Sequence, residues 1–323
     1  MNIVTLGGGT GQFALLQAIR ELKNLNITAI VSMADSGGSS GRLRDELGAL
    51  PPGDILKALL ALSTLPGDVA RKILLHRFSS GILNGHTAGN MLLTMLSQYS
   101  GNFMQAINAL GELLEIRGKV LPITIGHITL KVKLENRQNI IGENNINIPL
   151  SPNRSRVTKV WLEPNALALG ESLRSIKTAK LVIISPGDLF TSIIPVLLVH
   201  GVKETIQESK AKFIYICNAM TKSGETDGFR VSDFIRVIEQ YTGRKMDIVI
   251  CNNTLPDKKV LSYYAKEFSY PVVSDMKVNS RKRKIIASNL IMQGRLARHN
   301  PQKIAAIITA IVRTIKLEKI SKT

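Results

Sequence analysis

The stretch NIVTLGGGTGQFALL at residues 2–16 decides the fold. It opens with a short apolar run, passes through a glycine-rich loop, and continues with apolar residues at helical spacing. A second apolar run at 27–33 also ends in a glycine-rich loop, which covers 34–41. Strand, glycine loop, helix and strand in this order are typical of the start of a parallel, doubly wound sheet.

The second half of the chain repeats the same rhythm. Apolar runs at 181–184, 213–217 and 248–251 each end in small polar residues. We predict that these runs join the first two in one mostly parallel sheet, with helices on both faces, in a Rossmann-like α/β fold. In such a sheet the carboxyl ends of the strands line the ligand crevice. The polar residues that follow the strands are therefore candidates for the binding site.

The polar stretch at 136–147 is typical of an exposed hairpin or excursion rather than of a linker between domains, so the sequence predicts a single domain over residues 1–323. Residues 119–134 carry partly alternating apolar residues, and the polar, turn-rich stretch 136–147 follows them. We interpret residues from about 119 to 160 as a small β excursion from the main domain.

The composition indicates a globular protein of the cytoplasm. Apolar residues make up 44% of the chain and charged residues 20%, and no apolar run reaches the roughly 18–20 residues of a membrane span. The N-terminus lacks the basic segment and cleavage site of a signal peptide. Cys217 and Cys251 show no CxxC spacing, so we expect two buried, reduced thiols.

The net charge of +18 raises the question of nucleic acid. Residues 277–323 hold twelve Lys and Arg residues against one acidic residue, Glu318. The chain shows no aromatic-rich RNA platform and no recognition-helix module, which argues against a nucleic-acid ligand. We expect the basic run at 281–284 to lie in a solvated loop.

The first glycine loop is a candidate phosphate site. Glycines after a strand allow the backbone to approach a phosphate closely, and the following helix directs free N–H groups at the anion. The loop matches neither the dinucleotide fingerprint, because position 12 is Gln, nor a P-loop. A tight turn without a ligand stays the alternative. The candidate residues are Gly7, Gly8, Gly9, Thr10 and Gly11.

The second glycine loop combines glycines, hydroxyl groups and a basic side chain within eight positions, 35–42. Such a loop can form an anion nest with hydroxyl donors. The carboxylate of Asp35 suits a ribose hydroxyl or a metal-bound water, or it caps the loop. The candidates here are Asp35, Gly37, Gly38, Ser39, Ser40 and Arg42. Further candidates in turns and at strand ends are Asn90, Pro186, Gly187 and Asn218.

Several segments together resemble one family closely. The sequence is similar to the gluconeogenesis factors of the YvcK type, which are relatives of the CofD-type 2-phospho-L-lactate transferases. The matching segments are GGGTG (7–11), ADSGGSSGRLRDELGALPPGDI (34–55), GHTAGN (85–90), SPGDLFTSIIP (185–195), CNAMTKSGETDGF (217–229) and ARHN (297–300).

The resemblance implies a cytoplasmic protein that acts in cell shape and wall growth on gluconeogenic carbon. It also implies binding of UDP-sugars such as UDP-N-acetylglucosamine. The family's tyrosine and arginine contacts match Tyr264 and Arg298, where a ring can stack on the ligand and a guanidinium can pair with a diphosphate. We expect a non-catalytic sensor that signals through a partner protein; a homo-oligomer stays open.

The alternative is a CofD-type transferase that uses a nucleotide donor and Mg²⁺. Its metal ligands would be Asp35 and Asp54, since carboxylate oxygens suit this cation. The family has a second Asp where this chain has Ser36, which weakens metal-dependent chemistry. A phosphate site built from backbone N–H groups survives that change.

Overall fold

An eight-stranded sheet runs through the computed structural model, which describes residues 1–66, 69–148, 154–276, 279–280 and 283–320. The described strands are β1 (Asn2–Gly7), β2 (Asn26–Val31), β3 (Lys119–Pro122), β4 (Thr129–Leu134), β5 (Asn139–Ile141), β6 (Val157–Glu163), β7 (Leu181–Ile184), β8 (Lys212–Ile216), β9 (Ile248–Asn252), β10 (Asn279–Ser280) and β11 (Arg283–Ser288). The order in the large sheet is β10-β11-β9-β8-β7-β1-β2-β3, and only the β10–β11 pair is antiparallel.

The described helices connect and cover these strands. They are α1 (Gly9–Ile19), α2 (Gly38–Leu47), α3 (Gly53–Leu62), α4 (Val69–Leu74), α5 (Ala88–Ser100), α6 (Phe103–Leu113), α7 (Glu143–Asn147), α8 (Gly170–Thr178), α9 (Ile194–Leu198), α10 (Val202–Glu208), α11 (Val231–Thr242), α12 (Lys258–Lys266) and α13 (Pro301–Ile320). A π-helical turn, Leu189–Ile193, precedes α9. None of the helices within the described ranges is both long and apolar enough to cross a membrane.

The middle of the sheet forms the core because its strands are apolar on both faces. Every residue of β7 is buried, as expected for a parallel strand covered by helices on both sides. The five predicted runs all lie in this sheet, side by side and parallel, so the predicted α/β architecture is confirmed. Cys217 and Cys251 are buried and free, as predicted.

The predicted β excursion divides into two parts. β3 pairs in parallel with β2 and forms the edge of the large sheet. The separate three-stranded sheet, in the order β5-β4-β6, begins at Thr129 rather than at residue 119. Alternating apolar residues in β3 and β4 look alike in sequence, so the pattern alone does not show which strand joins which sheet.

The basic run at 281–284 is not a solvated loop in the part that the structure describes. Arg283 and Lys284 begin β11, which pairs with β9; residues 281–282 lie outside the described ranges. The Arg283 guanidinium forms an ion pair with the Glu239 carboxylate at 2.8 Å, and only 11% of the Arg283 side chain is exposed. The half-buried Glu239 carboxylate on α11 faces β11 here and explains why this position is basic.

Candidate functional site

The carboxyl ends of β1, β7 and β8 meet at one edge of the sheet, where the loops that follow them line a crevice. The crevice has two adjoining compartments, with volumes of about 300 and 310 Å³. The residues that line both compartments are Thr10, Gly11, Gly187 and Asp188. The first glycine loop and the loop after β7 therefore form the junction between the compartments.

The glycines of the first loop are required by close packing at this junction. A Cβ atom on Gly11 would lie 1.8 Å from the Pro186 carbonyl oxygen, far inside van der Waals contact. Gly9 has a φ of +63°, a backbone conformation that other residues rarely adopt. The loop can contact its neighbour this closely only without side chains.

Gln12 explains why the loop departs from the dinucleotide fingerprint. Its buried side chain donates to the Thr5 hydroxyl at 3.1 Å and to the Ile30 carbonyl at 3.0 Å. It thereby fastens α1 to β1 and β2. In the dinucleotide fingerprint a glycine at this position allows the helix to pack closely against the strand. Here the Gln12 side chain instead links helix and strands through hydrogen bonds.

Asn218 fixes the loop after β7 from the end of β8. Its side-chain oxygen accepts from the Gly187 N–H at 3.3 Å, and its side-chain nitrogen donates to the Gly187 carbonyl at 2.7 Å. The predicted site residues Pro186, Gly187 and Asn218 therefore form one unit that borders the crevice.

We call the first compartment the acidic compartment because four carboxyl groups line it. They belong to Asp35, Asp54, Glu143 and Asp188. Burial, and next the Asp54 charge, raises the pKa of Asp35; burial, and next the Asp35 charge, raises the pKa of Glu143 to about 7. Lys57 also lines the compartment and pairs with Asp54 at 2.9 Å.

We call the second compartment the Arg298 compartment. It is lined by Arg298, Lys222, Tyr264 and Asn218 in addition to the shared residues. Burial raises the pKa of Tyr264, while the nearby Ala297 backbone and the Arg298 charge oppose the rise. Two cationic side chains and an aromatic ring therefore lie on one side of the junction, and most of the carboxyl groups on the other.

Several predicted residues of the second glycine loop lie away from the crevice. Arg42 donates to the Asn84 carbonyl and pairs with Glu46 at 3.5 Å, so its guanidinium is directed at the loop before α5 rather than at a phosphate site. The Ser39 hydroxyl lies 3.1 Å from His86 Nδ1. Ser40 lies next to the crevice: its hydroxyl accepts from the Gly53 N–H at 3.2 Å and is hydrogen-bonded to Asp35, which lines the acidic compartment. The Asn90 N–H donates to the Thr87 hydroxyl at 3.3 Å.

Among the candidate glycines, too, some line the crevice and others do not. Gly37 and Asp35 line the acidic compartment together with Gly8 and Gly9. Gly38 begins α2 with a φ of +47°. Gly7 packs inside the sheet, where a Cβ atom would lie 2.0 Å from the Ser185 hydroxyl oxygen.

Sequence reasoning missed the residues that α7 brings to the acidic compartment. Glu143, Asn144 and Asn147 line it, and the Asn144 N–H donates to the Ser36 hydroxyl at 3.1 Å. These residues lie in the polar stretch that we interpreted as an exposed excursion. A polar composition suits an exposed loop and a polar binding wall equally well, so nothing in the sequence distinguishes the two.

Comparisons with known proteins assign the chain to a family. Residues 3–291 match the family model described as 2-phospho-L-lactate transferase CofD. The chain belongs to the CofD family. The gluconeogenesis factor of Halalkalibacterium halodurans is 38% identical to this chain, and the match covers 95% of each chain.

Two further family members support the assignment over the full length. A protein of Thermotoga maritima with the provisional name of gluconeogenesis factor is 39% identical, and the match covers 97% of this chain and 100% of the relative. A crystal structure of a UPF0052 family member from Bacillus halodurans superposes with a TM-score of 0.89 at 37% identity, covering 95% of this chain and 98% of the other.

The family description, a 2-phospho-L-lactate transferase, makes the metal-dependent transferase the alternative to consider. The residues of the acidic compartment bear on it directly. Asp35 and Asp54 both line it, but Asp54 is paired with Lys57. Within the described ranges, no group of three or more His, Cys, Asp and Glu residues is arranged to hold a metal ion. A dication at this position would compete with Lys57 for the Asp54 carboxylate.

Proposed function

We propose that this protein binds a UDP-sugar, such as UDP-N-acetylglucosamine, across both compartments of the crevice. The observation that carries the proposal is the placement of Tyr264 and Arg298. They come from a distant part of the chain, yet they line the same compartment as Thr10 and Gly11 of the first glycine loop. An aromatic ring can stack on a nucleotide base. A guanidinium and a glycine loop at a helix N-terminus can bind a diphosphate.

The polarity of the crevice orients the ligand. Three carboxyl groups of the acidic compartment lie beyond the junction and would repel a phosphate, whereas Asp188 at the junction is paired with Lys222 at 3.9 Å. The diphosphate therefore fits best at the junction and in the Arg298 compartment. The carboxyl groups of the acidic compartment can accept hydrogen bonds from the hydroxyl groups of a neutral sugar. The nucleoside therefore points towards Tyr264, and the sugar towards Asp35 and Glu143.

The size of the crevice suits a ligand of this kind. Each compartment alone, at about 300 and 310 Å³, is at the lower limit of the range of about 300–1,000 Å³ for ligand sites. Joined at the glycine loop, they offer room for a nucleoside on one side and a sugar on the other.

The names of the relatives suggest the role that this binding serves. In our proposal the protein works in the cytoplasm as a sensor of UDP-sugar supply, supports cell shape on gluconeogenic carbon, and passes the signal to a partner protein. Reversible holding of the ligand suffices for this role. Arg298 then contributes affinity rather than catalysis.

Replacement of Arg298 by Ala tests the proposal. Removing a charged hydrogen-bond partner typically costs about 1.5–3 kcal/mol, so the dissociation constant of UDP-N-acetylglucosamine should rise by roughly 10–150-fold. Isothermal titration calorimetry measures it, and an unchanged circular dichroism spectrum shows that the fold is intact.

Arg295→Ala is the matched control. Arg295 is exposed, lies three positions away and lines a different surface pocket, so its removal makes the same charge change outside the crevice. Wild-type protein that does not bind a UDP-sugar at millimolar concentration would refute the function. Equal losses for Arg295→Ala and Arg298→Ala would instead refute the role of Arg298.

A further inference from the structure

The carboxyl group of Glu225 is buried against the wall of the acidic compartment. The residue is 3% exposed. Its Oε2 atom accepts from the Phe190 N–H at 3.1 Å, and its Oε1 atom lies 3.3 Å from the Thr191 hydroxyl. Thr191 and its neighbour Ser192 line the acidic compartment. Glu225 itself is not among the lining residues of either compartment.

One of these contacts gives a hydrogen-bond acceptor to a backbone N–H group that has no partner within the π-helical turn. The first N–H groups of any helical turn have no partner within the turn. Ser192 and Ile193 both donate to the Asp188 carbonyl, whereas the Phe190 N–H, earlier in the turn, donates to Glu225. The Glu225 carboxyl group thus closes the start of the turn, and its position sets where Thr191 and Ser192 face the crevice.

The loop that carries Glu225 is itself held firmly. The Thr226 hydroxyl accepts from the Lys222 N–H at 2.8 Å, and the Asp227 carboxylate accepts from the Gly224 N–H at 2.7 Å. The Arg154 guanidinium donates both to the Gly224 carbonyl at 2.9 Å and to the Ile146 carbonyl of α7 at 2.6 Å. The loop therefore joins two walls of the acidic compartment, the π-helical turn and α7.

We propose that Glu225 is a positioning residue for the sugar end of the crevice: it fixes the turn that presents Thr191 and Ser192 to the sugar. The inference rests on the proposed UDP-sugar binding and deepens it. Because Thr191 and Ser192 line the acidic compartment and not the Arg298 compartment, Glu225 should govern how much the sugar adds to affinity. The affinity for UDP without a sugar should not depend on it.

The protonation state of Glu225 identifies its conservative replacement. Burial, and next the Asp188 charge, raises its pKa to about 8, while Lys222 and Arg154 oppose the rise. The charged form of Glu225 is therefore disfavoured at this position. A glutamine side chain is neutral, has nearly the same shape and keeps an oxygen that can accept from the Phe190 N–H.

The experiment compares the dissociation constants of UDP and UDP-N-acetylglucosamine in wild type and three variants, by calorimetry at neutral pH. In Glu225→Ala we expect the preference for the sugar-bearing ligand to fall about fivefold, as for one lost hydrogen bond of average strength, with UDP affinity unchanged. Glu225→Gln should restore the preference. Glu204→Ala, which removes an exposed carboxyl group outside both compartments, should keep it.

The outcomes separate the inference from the proposed function. If Glu225→Ala keeps the preference, weakens UDP equally, or is matched by Glu204→Ala, the positioning role is overturned while UDP-sugar binding stands. Failure of Glu225→Gln to restore the preference also overturns it. Wild type that binds UDP without any preference for the sugar refutes the inference, and wild type that binds neither ligand refutes both proposals. Should Glu225→Ala fail to fold, the comparison of Glu225→Gln with Thr191→Val decides: only the latter should lose the preference.

Discussion

The carboxyl group of Glu143 titrates near neutral pH because burial, and next the Asp35 charge, raises its pKa to about 7. Between the unperturbed value of about 4.5 and pH 7, the folded state keeps a proton that the unfolded state has lost. The free energy of unfolding therefore falls as pH rises through this window. Glu143→Gln removes that slope, so the variant should gain stability relative to wild type at about pH 8 compared with about pH 4. Urea unfolding at both pH values measures the change.

Glu163 supplies a control of opposite sign. A hydrogen bond from Lys131 and then its charge lower the pKa of this surface carboxylate. Its stabilising effect is present above the unperturbed pKa and is lost as pH falls, so Glu163→Gln should lose stability relative to wild type at the higher pH. If both variants respond to pH in the same direction, the local environment of Glu143 does not cause its effect.

At the level of single residues, the sequence predicted the parts of the site that carry a pattern. Glycines after a strand indicate a close backbone approach, and Gly11 and Gly187 do border the crevice. The Arg42 guanidinium is a group that commonly binds phosphate, but from its position on α2 it donates to the Asn84 carbonyl instead. The Glu225 carboxyl group is hydrogen-bonded to Thr191, 34 residues earlier in the chain. Such a long-range contact leaves no local pattern in the sequence.

At the level of elements, the contact between the first glycine loop and the loop after β7 should tolerate no added atom. In Gly11→Ala the new Cβ would lie 1.8 Å from the Pro186 carbonyl oxygen, so one loop must move. Overpacking of this kind costs typically about 1–3 kcal/mol. We expect that loss of stability and a clear loss of UDP-sugar affinity, because both loops form the junction.

Gly294→Ala is the control for this prediction, since a Cβ atom on Gly294 has no neighbour within 4 Å. Differential scanning calorimetry and ligand titration on both variants measure the two effects. Gly11→Ala that binds and melts like Gly294→Ala would show that the junction is looser than its geometry indicates.

The elements themselves were predictable where periodicity is strong. The last helix begins where Asn300 caps the Lys303 N–H at 3.1 Å and Pro301 takes the first helical position, as the sequence indicates. The pairing of the strands was harder to predict from the sequence. β3 joins the large sheet and β4 the small one, a choice made by tertiary packing that short apolar runs do not encode.

At the level of the whole molecule, the net charge of +18 is partly used inside the fold. Arg283 pairs with Glu239, and Arg154 donates to backbone carbonyls of α7 and of the loop that carries Gly224. Arg244 lies over the Phe213 ring and donates to the Ala211 carbonyl. The charges that bind nucleic acid must be exposed and arranged along a backbone. Net charge alone therefore overstates the attraction of this protein for DNA or RNA.

We expect any association with nucleic acid to be weak, independent of sequence and abolished by moderate salt. Non-specific binding has dissociation constants of about 10⁻⁴–10⁻⁶ M at physiological salt, and a protein with about 6–10 phosphate contacts loses roughly 10³–10⁵ in affinity between about 50 and 200 mM salt. Fluorescence anisotropy with two unrelated duplexes and one single strand, across that salt range, measures both the slope and the selectivity. The affinity for UDP-N-acetylglucosamine, which depends on a few contacts within a crevice, should change far less over the same range. Binding to one sequence that persists at high salt would contradict this prediction and would place nucleic acid above the UDP-sugar as the ligand of the basic surface.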